Sequence, residues 1–264
     1  MTDRPGDGDL DTPPRRDEPS PTRTAADAVL GLVASVQSGV GGRREWAERL
    51  ARVARDLAGA ARQAGVRGVA SGRVLAETLT DAAPRLPIRT RPALLADFPG
   101  RSDEELAEEL TRVAARSTAA IGAAAGALSA VEFTAPPTLL AAPVQLAAET
   151  LAVAAIEVKL LAELHELYAA EVPVGSSDRA AAYLLAWARQ RAIGPAGFGV
   201  GGLRGAISRE LKLRLIRRMG RNLTTLAPFL AGAVAGAEVN RRATRSLAGR
   251  ITADLRSRRP APSG

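Results

Sequence analysis

Apolar side chains recur along this chain at intervals of three and four, and nowhere do they alternate over a sustained stretch. Val29, Leu32, Val33 and Val36 fall on one helical face, and so do Trp46, Leu50, Val53, Leu57, Ala60 and Ala64. That period marks amphipathic helices with one side turned to a core. Leu106, Leu110 and Val113 predict a further helix. Its start is signalled by Ser102 as a cap, Glu105 three residues on, and Asp103 and Glu104 in the first turn. Pro84, Pro87 and Pro92 predict a loop before it, and Pro99-Gly100 closes that segment. The pattern predicts an all-α protein, a single multi-helix bundle.

The middle of the chain has a different texture. Residues 117–131 are uncharged and mostly small, with Gly122 and Gly126 four apart, a spacing that lets two helix backbones approach closely. Pro136, Pro137 and Pro143 then interrupt the chain. From Val144 to Tyr168 a helix is predicted that is apolar on nearly every side, which belongs either at the centre of a core or against lipid. Ser176, Ser177 and Asp178 are candidate caps for a helix bearing Tyr183, Leu184 and Trp187. After a glycine-rich stretch, Gly194 to Gly205, a basic helix is expected from about Ala206 to Leu223. A second small-residue run carries Gly232 and Gly236, and the last helix carries Val239, Leu247, Ile251 and Leu255. The uncharged runs, 15 residues at 117–131 and 16 at 222–237, are shorter than the ~20 that span a bilayer. A hairpin of 118–131 and 138–156 is the segment best suited to enter one partially.

The ends are polar. Residues 1–24 are rich in Pro, Asp and Arg, which predicts a disordered tail. They contain no apolar stretch of the kind a secretory signal needs, so the expected location is cytoplasmic, at the membrane face, and not secreted. The predicted organisation is a tail (1–24), amphipathic helices with a Pro-rich loop (25–100), a second helical region (101–257) and a short loose tail (258–264).

Charge sharpens the reading. The formal net charge is +8, and Lys159 and Lys212 are the only lysines among 36 basic residues. Between Ser117 and Asp178 the only basic side chains are Lys159 and His165, whereas Arg204 to Arg259 holds 14 cations against three acids. On the basic helix, Ile207, Leu211, Leu215 and Met219 lie four apart, and Arg214, Arg217 and Arg221 fall on another face. Such a helix suits an anionic membrane surface or nucleic-acid phosphates. Arg209, Lys212, Arg214, Arg217, Arg218, Arg221, Arg241, Arg242 and Arg245 are the candidate contacts.

The catalytic inventory is thin. No cysteine is present, which excludes thiolate chemistry and disulfides, and a single histidine excludes a multi-histidine metal site within the chain. His165, between Glu163 and Glu166, reads as a boundary histidine or, with a nucleophile nearby, as a base. Gly197-Phe198-Gly199-Val200-Gly201-Gly202 matches G-x-G-x-x-G but follows a helix rather than a strand, so it reads as a helix connection. No cofactor or metal is predicted. Glu149 and Glu157 sit within the apolar helix, where a carboxylate serves as an anchor in an apolar cavity, meets an arginine from another helix or faces solvent.

Three stretches resemble the EcsC family of bacterial proteins. The first is the glycine-bearing helix Ala114 to Gly126. The second is the apolar helix with Glu149 upstream of Leu167-Tyr168. The third runs from Pro228-Phe229-Leu230 through Gly232 and Gly236 to Asn240, Thr244 and Ala248. The resemblance implies a helical, membrane-associated protein without established enzymatic activity. The expected function is therefore a non-enzymatic membrane- or lipid-associated protein, with anionic lipid or another membrane protein as partner. An apolar groove is expected around Gly122, Gly126, Glu149, Gly232, Gly236 and Asn240. The alternatives are a soluble arginine-rich nucleic-acid-binding protein and a hydrolase that works with carboxylates.

Overall fold

The computed structural model describes residues 20–37, 42–132, 141–169, 176–191, 202–224 and 229–258. Both predicted tails lie outside them, apart from Ser20 to Thr24 and Arg258. Among the described residues the chain is all helical: α1 (Pro21–Gln37), α2 (Arg43–Ala70), α3 (Arg73–Ala82), a 3-10 turn (Ala83–Arg85), α4 (Arg91–Asp97), α5 (Asp103–Glu132), α6 (Ala141–Leu167), α7 (Ser176–Arg191), α8 (Leu203–Thr224) and α9 (Phe229–Arg258).

Local chemistry explains the boundaries. Order begins earlier than Ala25: the Ser20 hydroxyl accepts from the Arg23 amide at 3.3 Å, and Pro21 takes the first helical position, where no amide is needed. At α5 the Ser102 hydroxyl accepts from the Glu105 amide at 3.3 Å while Glu105 accepts from the Ser102 amide at 2.8 Å, the reciprocal cap its sequence predicts. The Pro-rich loop is more ordered than expected, because Pro84 sits in the 3-10 turn and Pro92 at the start of α4. Gly72 turns the chain into α3 at φ +75°, and a methyl group there would lie 2.4 Å from the Ser208 carbonyl oxygen. Only glycine allows that corner to meet α8.

Helix α6 is the axis of the bundle. Every residue from Ala147 to Leu164 is buried, and α6 touches every other described helix. Its all-round apolar character is therefore that of a core helix, which corrects the alternative of lipid contact along its length. Of the hairpin expected at 118–131 and 138–156, residues 147–156 are enclosed by protein and 133–140 lie outside the described residues; no described helix is long and apolar enough to cross a membrane. Against α6 lie α5 and α9, antiparallel to one another. Gly122 meets Gly236, Thr118 meets Thr244, and Glu104 lies 3.8 Å from Arg256. A Cβ on Gly122 would fall 2.7 Å from the Gly236 carbonyl carbon, so the small residues set the helix separation. Trp46, Leu50, Val53 and Leu57 of α2, with Val29, Leu32 and Val33 of α1, belong to the same continuous core.

Candidate functional site on helix α8

The inner face of α8 joins the core through charge as well as hydrocarbon. Ile207, Leu211 and Leu215 are buried. Arg214 and Arg218, one turn apart, reach Glu157 and Glu149 on α6. Arg214 Nη2 donates to Glu157 Oε2 at 2.8 Å, and Arg214 Nε donates to Glu210 Oε1 at 2.9 Å. Arg191 of α7 pairs with the other Glu157 oxygen, and Trp187 Nε1 donates to Glu157 Oε2 at 3.1 Å. The Arg214 guanidinium also lies 5.1 Å from the centre of the Trp187 ring, within cation–π range.

Glu157 is 0% exposed. Burial alone would raise its carboxyl pKa, but Arg214 and Arg191 outweigh burial and hold it below the ordinary carboxylate range. Burial lowers Arg191 to about 10, with Arg214 adding to that and Glu157 opposing it. For Arg214 burial is overcome by Glu157 and Glu210, and its pKa rises.

The second knot sits two turns up α6. Arg218 Nη1 is 2.8 Å from Glu149 Oε1, and Arg218 Nη2 donates to Asn240 Oδ1 at 2.7 Å. The Asn240 amide donates to Glu149 Oε1 at 3.0 Å and to the Thr118 carbonyl at 3.1 Å. Thr118 and Thr244 hydroxyls meet at 2.9 Å. Four helices (α5, α6, α8 and α9) are thus tied at one level by buried polar contacts.

The outer face of α8 is unlike the inner one. Arg209, Lys212 and Arg217 are exposed, and between them stand Leu213 at 40% and Ile216 at 51%. At 3.6 residues per turn these five positions form one stripe, with the two apolar side chains in the middle and cations around them. The one acid in the described part of α8, Glu210, is buried on the inner side. On α9, Val234 at 70% and Val239 at 38% are further exposed apolar side chains.

The expected surface set is thereby divided. Arg209, Lys212, Arg217, Arg242 and Arg245 are exposed and Arg241 is half-buried. Arg241 and Arg242 both pair with Glu238. Arg214 and Arg218 are corrected: they are core residues with carboxylate partners, not surface contacts. Arg221 lies in α8, but its side chain falls outside the described residues. The groove set is also changed. Gly122, Glu149, Gly236 and Asn240 do come together, yet backbone and side chains fill the space between them, so no acyl groove opens there. Gly126 is half-buried in α5, and the surroundings of Gly232 in α9 lie outside the described residues. The G-x-G-x-x-G stretch also lies outside them, except for Gly202.

His165 is held at the end of α6. Its Nδ1 lies 2.8 Å from the Leu161 carbonyl, and its ring packs edge-on against Tyr183, whose hydroxyl donates to Glu166 at 3.0 Å. Burial lowers its pKa. Among the described residues no group of three His, Asp or Glu side chains is arranged to hold a metal ion. Sequence reasoning missed Arg191 and Trp187 as partners of Glu157; both lie in a helix whose polar residues carried no periodic signal. Comparison with protein-family models, with curated proteins and with solved structures finds no match.

Proposed function

We propose that this chain is a non-enzymatic, peripheral membrane-associated protein that lies on anionic lipid through the outer face of α8. The observation that carries this reading is the exposed pair Leu213 and Ile216 ringed by Arg209, Lys212 and Arg217. A helix lying in the headgroup layer needs apolar side chains below and cations at the level of the phosphates. Each cation near an anionic surface contributes about 1 kcal/mol. Two partly inserted aliphatic side chains add a similar amount each, since complete burial is worth about 1.5–3 kcal/mol. Nucleic acid would use the same cations but would gain nothing from Leu213 and Ile216. With 3% aromatic residues the chain also lacks the stacking side chains of single-strand binders. The resemblance to the EcsC family supports the same reading.

Vesicle flotation tests it. The full chain is expected to float with phosphatidylglycerol-containing vesicles and to stay at the bottom with neutral phosphatidylcholine. The double variant Leu213→Ser/Ile216→Ser is expected to lower the bound fraction at least tenfold. Equal recovery in the bottom fraction with both vesicle types, or unchanged flotation of the double variant, overturns the proposal.

A further inference from the structure

A cavity of about 110 Å³ lies where α1, α5, α6 and the segment around α4 meet, away from α8. One wall is aliphatic, made by Val36, Leu110, Val113, Ile156 and Leu160. The other end is charged: Arg89, Lys159, Glu163 and Glu109 line it.

Two cations share one carboxylate here. Arg89 grips Glu163 through Nε at 2.8 Å and Nη2 at 3.2 Å, and it also meets Asp97 at 3.1 Å. Glu109 is matched by Arg101 at 3.4 Å and by Arg112. Lys159 pairs with Glu163 as well. Along the lining Arg89 and Lys159 face Glu163 and Glu109; Arg101 and Arg112 hold Glu109 from outside, so Arg89 and Lys159 both turn to Glu163.

Lys159 supplies the second observation. It is 3% exposed, and its ammonium has three N–H donors, of which the described contacts use one, to Glu163. A buried ammonium with open donors beside a cavity calls for an acceptor in that cavity. In a chain that uses arginine almost everywhere, this site holds one of only two lysines, a compact cation that leaves the space free.

We propose that this cavity binds a small aliphatic monocarboxylate of three or four carbons. Its carboxylate accepts from Lys159 Nζ, and its hydrocarbon end lies against Leu110, Val113 and Ile156. Size sets the limit: an apolar cavity of ~150 Å³ holds benzene, so this one suits five or so heavy atoms. The open donors of the Lys159 ammonium select a carboxylate as acceptor, and the aliphatic wall selects against an inorganic anion.

Ligand-observed NMR on the full chain at neutral pH tests the assignment, with propionate and butyrate as probes. Octanoate, butylamine and inorganic phosphate serve as controls for length, charge sign and the apolar end. Saturable binding of propionate and butyrate is expected, at least tenfold tighter than any control. Lys159→Met should weaken it at least tenfold. Ala114→Leu, which fills the cavity from α5 without touching a charge, should do the same, with helicity checked by circular dichroism. The second variant keeps the test decisive if the first does not fold. Absence of saturable binding by both short carboxylates, equal binding of phosphate or butylamine, or unchanged affinity in Ala114→Leu overturns the proposal.

Discussion

Arg214 and Arg218 stand on the same helix as Arg209 and Arg217, a turn or two away, yet the two pairs have opposite fates. The first pair points at α6, is about 11% exposed at the side chain, and meets Glu157 and Glu149. The second pair is open to solvent around Leu213 and Ile216. The difference is made by the buried carboxylates of α6, not by the arginine. A guanidinium enters a core only where a carboxylate already waits there, because an unpaired buried charge is far too costly. Helix α6 supplies those carboxylates on its most enclosed stretch, and α8 presents arginines at matching heights. On the outer face the same residue type stays exposed, beside the apolar pair.

The inner pair is where damage should be greatest. Glu157→Leu leaves Arg191 and Arg214 buried around a missing counter-charge. Breaking one side of a buried pair costs about 3–5 kcal/mol, and a loss in that range is expected by urea denaturation at neutral pH. Glu210 remains beside Arg214 and keeps the loss from going further. A loss below about 1 kcal/mol would mean that water or repacking replaces the carboxylate, and the contrast between the two faces of α8 would then be only one of exposure.

Acid should attack the same interior more gradually, in two steps. His165 has a folded pKa below its ordinary value of 6.5, through burial. The unfolded chain therefore takes up its proton first, and stability falls as pH drops from 6.5 toward the folded value. For one proton the slope is at most about 1.4 kcal/mol per pH unit. The second step begins near 4.5, the ordinary value for glutamate, because Glu157 in the folded state lies below it. Stability held by the Glu157 carboxylate is complete above 4.5 and is lost as pH falls through the folded value. Thermal melts across pH 3 to 8 should show both steps, with His165→Gln removing the upper one alone. A melting curve flat from pH 7 to 5 in the unaltered protein would contradict the first.

Much of the fold is legible in the residues. The Ser102–Glu105 cap, the apolar faces of α1 and α2 and the central place of α6 follow from spacing and composition, and the close Gly122–Gly236 crossing is what small residues four apart allow. Helix α3 is less visible because its ten residues lie between Gly72 and Pro84, although Val74, Leu75, Thr78, Leu79 and Ala82 form a proper helical face. The two-sided use of arginine is not legible. Arg214 follows Leu211 by three, and Arg218 follows Leu215 by three, which puts both beside the apolar stripe. Only the position of Glu157 and Glu149 across the helix interface decides that they turn inward, and sequence distance hides that. At Gly122 and Gly236 the space expected for a groove is filled for a related reason: small residues tell that something comes close, and here it is another backbone.

The outer face gives the smallest expected change in stability, and that smallness carries the argument. Leu213 and Ile216 rest on solvent, so serine at both positions leaves no cavity and strands no polar group. Substitutions of this kind usually fall within about 0.5 kcal/mol each. Arg217→Gln should be equally quiet, since its side chain is exposed on the same stripe. If these residues serve the fold, removing them must register in denaturation. If they serve a surface outside the molecule, denaturation stays put while vesicle binding falls. Chemical denaturation of Leu213→Ser/Ile216→Ser beside the unaltered chain separates the two, and a loss above about 1.5 kcal/mol would return the outer face of α8 to the bundle. A midpoint that does not move gives the exposed aliphatic pair no role in folding, and a cation-ringed apolar stripe without a folding role is what an anionic bilayer surface would select.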